Sequence, residues 1–185
     1  MTKAQLTVLA GPTAVGKGTV VAALTKRFPT LNVSISATTR DPRPGELNGV
    51  HYYFVSTKEF DAMIERGDML EWALVHGKNK YGTPRGPVDE ALAAGKPVLL
   101  EIDLAGARQV RTTRPDAQFI FLAPPSWEEL EHRLIGRGTE SPEEQARRLT
   151  TARVELEAAS EFDHVVINDD VERAVDELAR LIGLE

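Results

Sequence analysis

The sequence predicts an α/β fold: a doubly wound, mostly parallel sheet with an inserted small antiparallel subdomain and a helical lid. Three observations carry that expectation. Apolar runs starting near residues 5, 97, 117 and 164 alternate with helix-like segments, the signature of parallel strands joined by crossover helices. Between residues 34 and 85 the runs are short and the links tight, as in an antiparallel insertion. At Gly136-Arg137-Gly138 two helical stretches are broken by glycines, which suits a hinged lid spanning 136–148.

The first run, Gln5 to Ala10, reads as a buried strand. Gly11-Pro12-Thr13-Ala14-Val15-Gly16-Lys17-Gly18-Thr19 follows and fits G-x-x-x-x-G-K, the core of a phosphate-binding loop. Val20 to Phe28 then continues without Gly or Pro as a helix that Pro29 ends. Strand, glycine-rich turn and helix form the setting in which backbone N–H groups wrap a phosphate and the helix N-terminus adds positive charge. Such loops usually carry Ser or Thr after the lysine, where it touches Mg²⁺; here that position is Gly18, and the hydroxyl comes at Thr19.

Leu31 to Arg40 alternates apolar and polar residues and predicts one half-exposed strand. Asp41 to Gly49 is rich in Pro and Gly and predicts a loop, and Val50 to Val55 a second strand. A helix capped by Ser56 or Thr57 places Phe60, Met63 and Ile64 on one face and stops at Gly67. Met69 to Val75 is a strand, His76 to Lys80 a polar hairpin, and Tyr81-Gly82-Thr83-Pro84 follows. The α/β pattern then resumes: a helix over Val88–Ala94, a strand over Pro97–Asp103 and a short helix over Gly106–Thr112. Ala117–Ala123 is the next strand, and Ser126 with Glu129 reads as a capping box for a helix bearing Leu130, Leu134 and Ile135. A long helix over Pro142–Ser160, a strand over His164–Asn168 and an amphipathic helix over Val171–Leu184 close the chain.

Composition bounds the function. At 185 residues the chain supports one substantial core. A net charge of -6 argues against general nucleic-acid or anionic-membrane binding. With no cysteine there is neither a disulfide framework nor a thiolate metal site. No apolar run is long enough for a signal peptide or a membrane span, so a cytoplasmic protein is expected.

Ligands of doubly wound sheets sit beyond the carboxyl ends of the strands, where Gly11, Glu101, Asp103, Ala123 and Asn168 fall. Glu101 or Asp103 could hold Mg²⁺, or simply close a polar strand end. Arg40 and Arg43, with Tyr52 and Tyr81 further on, could grip a dianionic phosphate, or lie solvated on the surface. Arg133, Arg137, Arg147, Arg148 and Arg153 could close over a triphosphate, or form exposed ion pairs.

Several longer strings sharpen the choice. They include Ser34-Ile35-Ser36-Ala37-Thr38-Thr39-Arg40-x-Pro42-Arg43-x-Gly45-Glu46-x-Asn48-Gly49-x-x-Tyr52, Glu71-Trp72-Ala73, Tyr81-Gly82-Thr83 and Glu101-Ile102-Asp103. With Gly136-Arg137-Gly138-Thr139-Glu140 and Val166-x-Asn168-Asp169-Asp170, these make the chain resemble guanylate kinases over nearly its whole length. The resemblance implies a phosphate-loop kinase fold, with core segments 1–33 and 86–185 and a GMP-binding subdomain at 34–85. It implies ATP-dependent phosphorylation of GMP, and of dGMP, with Mg²⁺, as a step in recycling GMP. By that resemblance Lys17 and the loop from Gly11 to Thr19 hold ATP phosphates, with Arg133, Asn168 and Asp169 toward the adenine. Ser36, Arg40, Arg43, Tyr52 and Tyr81 hold GMP by its phosphate, and Glu71, Thr83 and Asp103 read the guanine edge. Arg137 and Arg148 reach the transferring phosphate from the lid, and Glu101 stands near the metal through water.

Chemistry agrees with that assignment. Guanine presents an N1–H beside an amino group, which suit one carboxylate such as Glu71, and an O6 that suits a hydroxyl such as Thr83. Another nucleoside monophosphate kinase would need a different pattern there. A non-catalytic binding module of the same shape would have little use for Gly16-Lys17. Whether the chain is a monomer or a homodimer is not written in any one stretch.

Overall fold

Two sheets organise the chain, which is described by a computed structural model over residues 3–136 and 138–185. The larger sheet has five strands, β1 (Leu6–Ala10), β2 (Asn32–Val33), β7 (Val98–Glu101), β8 (Gln118–Ala123) and β9 (His164–Ile167), in the order β2-β7-β1-β8-β9. All of its pairings are parallel. β1 lies at the centre and all five of its residues are buried, as expected for a strand covered on both faces.

Alternation along β1 distributes the two cores. Leu9 joins Leu24, Leu122, Val166 and Leu178 beneath α1 (Lys17–Arg27) and α7 (Val171–Ile182). Leu6, Val8 and Ala10 join Val88, Leu100, Ala107 and Val110 beneath α3 (Arg85–Ala93) and α4 (Leu104–Thr113). On α7 the buried residues Ala174, Val175, Leu178, Ala179 and Ile182 recur at helical spacing, so one stripe faces the sheet. Each fully buried Val, Leu or Ile of these cores contributes about 1.5–3 kcal/mol.

The smaller sheet has the order β4-β3-β6-β5, built from β3 (Ala37–Thr38), β4 (Tyr53–Phe54), β5 (Met69–Val75) and β6 (Asn79–Pro84). Helix α2 (Thr57–Glu65) covers it, with Phe60 buried against Ala37 and Met69 and edge-on to Trp72. Ser56 caps this helix by accepting from the Glu59 N–H at 3.0 Å. The β5–β6 turn places His76 (φ 52°) and Gly77 (φ 64°) in the left-handed region, and the Lys78 N–H donates to the Val75 carbonyl at 3.1 Å. Two such residues give the turn a twist matching that of the flanking strands.

The sequence-based expectations need four adjustments. The stretch Leu31–Arg40 is not one strand. Asn32 and Val33 pair with β7, Ala37 and Thr38 pair with β4 and β6, and Ser34 to Ser36 cross between the sheets. The small sheet is antiparallel except for the parallel β3–β4 pair, because residues 39–52 are long enough to return the chain in the same direction. The strand expected over Val50–Val55 shrinks to Tyr53–Phe54, since the Tyr52 carbonyl instead accepts from Gly49 N–H at 2.7 Å inside the loop. Ser126 caps α5 (Trp127–Ile135), but Glu129 turns to Arg133 at 3.3 Å, and the full capping box forms at Ser141 and Glu144.

The second box starts α6 (Pro142–Glu157), which tightens into a 3₁₀ turn over Ala158–Glu161. Helices α5 and α6 meet through Leu130, Leu134 and Ala152, and the Arg153 guanidinium lies 4.0 Å over the Trp127 ring. Among the described residues no helix is long and apolar enough to cross a membrane.

Candidate functional site

β1 runs out at Ala10 into the glycine-rich loop, and close packing dictates its residues. A Cβ on Gly11 would stand 2.4 Å from the Leu122 carbonyl oxygen, so only glycine lets the loop leave beside β8. Gly16 has φ 93° and a Cβ there would lie 2.9 Å from Asn168 Nδ2. Ala14 is also left-handed at φ 68°, which costs a non-glycine residue about 1–2 kcal/mol. Two side chains hold the strained turn. The Val15 carbonyl accepts from Asn168 Nδ2 at 2.8 Å and from Arg133 Nη1 at 3.2 Å.

α1 starts at Lys17 with no side-chain cap and no acid in its first turn, leaving its N–H groups for an anion. Lys17 Nζ donates to the carbonyls of Gly11 (3.3 Å) and Ile102 (3.1 Å). Burial pushes its pKa below the usual 10.5, while the charges of Glu101, Glu155 and Asp103 push it back up. Pro12 to Gly18 and Glu101 line an open cavity of about 400 Å³. Thr13 on the loop and Gly18 and Thr19 in the first turn of α1 are exposed.

Among the described residues no cluster of three or more His, Asp or Glu side chains could hold a metal. Glu101 stands beside the loop, with its Oε1 3.9 Å from where a Gly18 Cβ would be. One carboxylate next to a phosphate cradle fits Mg²⁺, which keeps several waters and binds through phosphate oxygens.

The second cluster joins the small sheet to α4. Glu71 Oε1 accepts from Thr83 Oγ1 at 2.8 Å, and Thr83 is only 1% exposed. Asp103 caps α4 by accepting from the Gly106 N–H at 2.7 Å. A Cβ on Gly106 would sit 3.1 Å from both Asp103 Oδ1 and Glu71 Oε2, so the small residue makes room for two carboxylates. Burial raises the Glu71 carboxyl above its usual 4.5, the Thr83 hydroxyl counters this, and the Asp103 charge raises it further. The three residues expected to read a base edge are thus brought together.

The expected phosphate grip is assembled differently from a set of free cations. Arg40 is fastened to Glu46 by two hydrogen bonds of 2.8 and 2.9 Å, and its Nη1 also donates to the Asp41 carbonyl at 2.9 Å. It lies 5.3 Å over the Tyr52 ring, and Tyr52 meets Tyr81 edge-on at 6.0 Å. The Arg40 pair and the Arg43 N–H, which donates to Glu46 at 2.7 Å, hold the Glu46 carboxyl down at about 2. The Arg43 side chain is exposed, and Ser36 is half-buried at the start of β3, its carbonyl accepting from Tyr53 N–H at 2.9 Å.

On α6, Arg148 pairs with Glu140 at 2.6 Å and stays half exposed. Arg137 lies outside the described residues. Arg133 and Asn168, expected near a base, both hold the loop backbone here. Asp169 is exposed and pairs with Arg173 at 3.0 Å.

Sequence reasoning missed three participants. Glu46 sits inside a motif already singled out, but nothing in the string says that it pairs with Arg40. Glu155 on α6 reaches the loop, meeting the Thr13 amide and the field of Lys17, with one oxygen buried and unpartnered. Gln109 on α4 bonds the small sheet through both peptide groups of Trp72. Only tertiary contact reveals the last two.

A phosphate cradle at the carboxyl edge of a doubly wound sheet, joined by clustered acidic and arginine side chains on a smaller sheet, defines a phosphate-loop kinase. Comparison with known proteins places the chain more narrowly. The guanylate kinase family model matches residues 3–185, and the chain belongs to that family. It is 59% identical to a guanylate kinase of Cutibacterium acnes, over 96% of this chain and 89% of that protein. It is 60% identical to one from Thermobifida fusca, over 97% of this chain and 91% of that protein. The crystal structure of guanylate kinase from Anaplasma phagocytophilum matches with a TM-score of 0.73 at 30% identity, covering 99% of this chain and 86% of that one.

Proposed function

We propose that the chain transfers the terminal phosphoryl group of ATP to GMP, giving ADP and GDP. The observation that carries the choice of acceptor is the convergence of Glu71, Thr83 and Asp103 around Gly106. A half-buried carboxylate there suits the paired N–H donors of guanine. Adenine would leave it unpaired, at a cost of about 1–3 kcal/mol per buried group.

The loop from Gly11 to Thr19 holds the ATP phosphates by its N–H groups and the start of α1, and Lys17 moves from its two carbonyls to the phosphate oxygens. Arg133 and Asn168 keep the loop in shape from the side of the adenine, with Asp169 beside them. Bound Mg²⁺ would offset charge on the phosphates, held through water by Glu101. Ser36, Arg40, Arg43, Tyr52 and Tyr81 take the GMP phosphate. Arg40 is already oriented, and the incoming dianion competes with Glu46 for its charge. Segment 34–85 and the lid at 136–148 close toward the loop, bringing Arg137 and Arg148 to the transferring group and excluding water. Positioning and charge neutralisation do the chemistry, with no covalent intermediate.

A coupled assay of ADP release with GMP, AMP, UMP and dTMP tests this. Turnover confined to GMP supports it. Equal turnover of AMP would overturn the guanine reading, and no turnover with any acceptor would favour a binding module.

A further inference from the structure

Gln109 on α4 donates from Nε2 to the Trp72 carbonyl at 2.8 Å and accepts the Trp72 N–H on Oε1 at 3.0 Å. One side-chain amide thus satisfies both polar groups of one residue on the outer edge of β5, as a neighbouring strand would. One turn further on, Thr113 Oγ1 donates to the Leu70 carbonyl at 2.7 Å. Residues 70 and 72 flank Glu71, and the β5–β6 register shifts between Met69 and Glu71. An edge strand with an irregularity does not by itself fix where a side chain points.

Asp103, Gly106, Gln109 and Thr113 recur at steps of three and four and therefore share one stripe of α4. Along that stripe the helix sets four things: a carboxylate, the gap that admits Glu71, and the two peptide groups on either side of it. α4 belongs to the core and β5 to the small sheet, so the carboxylate is located relative to the core.

We infer that Gln109 is a positioning residue for acceptor specificity, acting through the Trp72 peptide on the carboxylate of Glu71. The inference rests on the reading of Glu71 as the guanine-pairing group. A displaced carboxylate loses one of its two bonds to guanine. GMP then loses its advantage over IMP, which lacks the amino group, while the ATP loop is untouched.

Gln109→Met keeps the side chain's length and removes both hydrogen bonds. Its KM for GMP should rise about tenfold, the effect of roughly one net hydrogen bond. The GMP-over-IMP ratio of kcat/KM should shrink by a similar factor, with kcat and the KM for ATP within about twofold. Gln109→Glu, which keeps only the acceptor, should fall between Met and wild type. An unchanged GMP KM in folded Gln109→Met would overturn the inference, as would a parallel rise in the KM for ATP. If the Met variant does not fold, Thr113→Val is read by the same two criteria. Glu71→Ala in the same assay separates the premises. If it leaves the GMP KM unchanged, the reading of Glu71 itself has failed; if it is severe while Gln109→Met is silent, only the inference has.

Discussion

The two halves of the site are built by opposite means. The phosphate loop is a backbone device. Its glycines permit close approach and left-handed turns, the N–H groups at the start of α1 have no side-chain cap, and two side chains, Arg133 and Asn168, clamp its Val15 carbonyl from outside. The cluster on the small sheet is a side-chain device. Its polar groups are already paired, Arg40 with the Glu46 carboxylate and Glu71 with the Thr83 hydroxyl, and it is tied to the core by Gln109 and Thr113. A backbone cradle reads only charge and shape, which every nucleoside triphosphate offers. A pocket of paired polar side chains reads a pattern, because any ligand that breaks a pair without replacing it leaves a buried group unsatisfied.

That contrast predicts where specificity is lost first. Glu71→Ala should lower kcat/KM for GMP by about 10⁴, the scale on which sites built for hydrogen bonds discriminate. ATP binding measured by calorimetry without GMP should hold steady. Comparable losses for both nucleotides would erase the division between a reading half and a holding half.

The loop half should fail in the other sense. Lys17→Ala should lower kcat by about 10²–10³, the usual scale for losing one donor to developing charge. The variant's preference for GMP over AMP should survive in the residual activity. Lys17 bonds two carbonyls in the structure, so a thermal melt must show that the variant still folds. A folded variant with near wild-type turnover would remove the lysine from the reaction.

The halves also titrate in opposite directions. The Glu71 carboxyl is raised above 4.5, chiefly by burial, so on acidification it takes up a proton earlier than an exposed glutamate would. The Lys17 ammonium is lowered from 10.5, again chiefly by burial, so it loses its proton earlier on the alkaline side. The profile of kcat/KM for GMP, which reports the free enzyme, should therefore be narrowed from both ends. Glu71→Gln should remove the acid limb and leave the alkaline one. An acid limb that stays put in that variant belongs to another group.

The same contrast explains what the sequence disclosed. The loop, its strand and its helix were legible because backbone geometry demands glycine at fixed intervals, and glycine shows in a string. β5 was legible in full, Met69 to Val75, as an apolar run broken only by Glu71. The division of Leu31–Arg40 into β2 and β3 was not. Alternation says that a face is buried but not against which sheet, and only pairing with β7 on one side and β6 on the other separates them. The Arg40 and Glu46 pair stayed hidden because a motif names side chains without their partners. Gln109 was hidden for a related reason: a glutamine facing outward and one completing a sheet edge look alike in a helical segment.

The smallest expected effect tests how far the loop is truly a backbone device. Gly18 occupies the place where a hydroxyl commonly touches Mg²⁺. Its added Cβ would meet nothing nearer than Glu101 Oε1 at 3.9 Å, an ordinary contact, and the residue is exposed within the first turn of α1. Thr19 is turned about 100° further round the helix and cannot stand in for it. The loop should therefore work with its metal held by phosphate oxygens, water and Glu101. Gly18→Ser should fold normally and keep kcat within about twofold, since glycine to serine early in a helix costs little and adds one weak ligand. The Mg²⁺ concentration for half-maximal rate should fall slightly, whereas in Glu101→Ala it should rise. A large loss of activity in a folded Gly18→Ser would show that the cradle needs that space for phosphate itself.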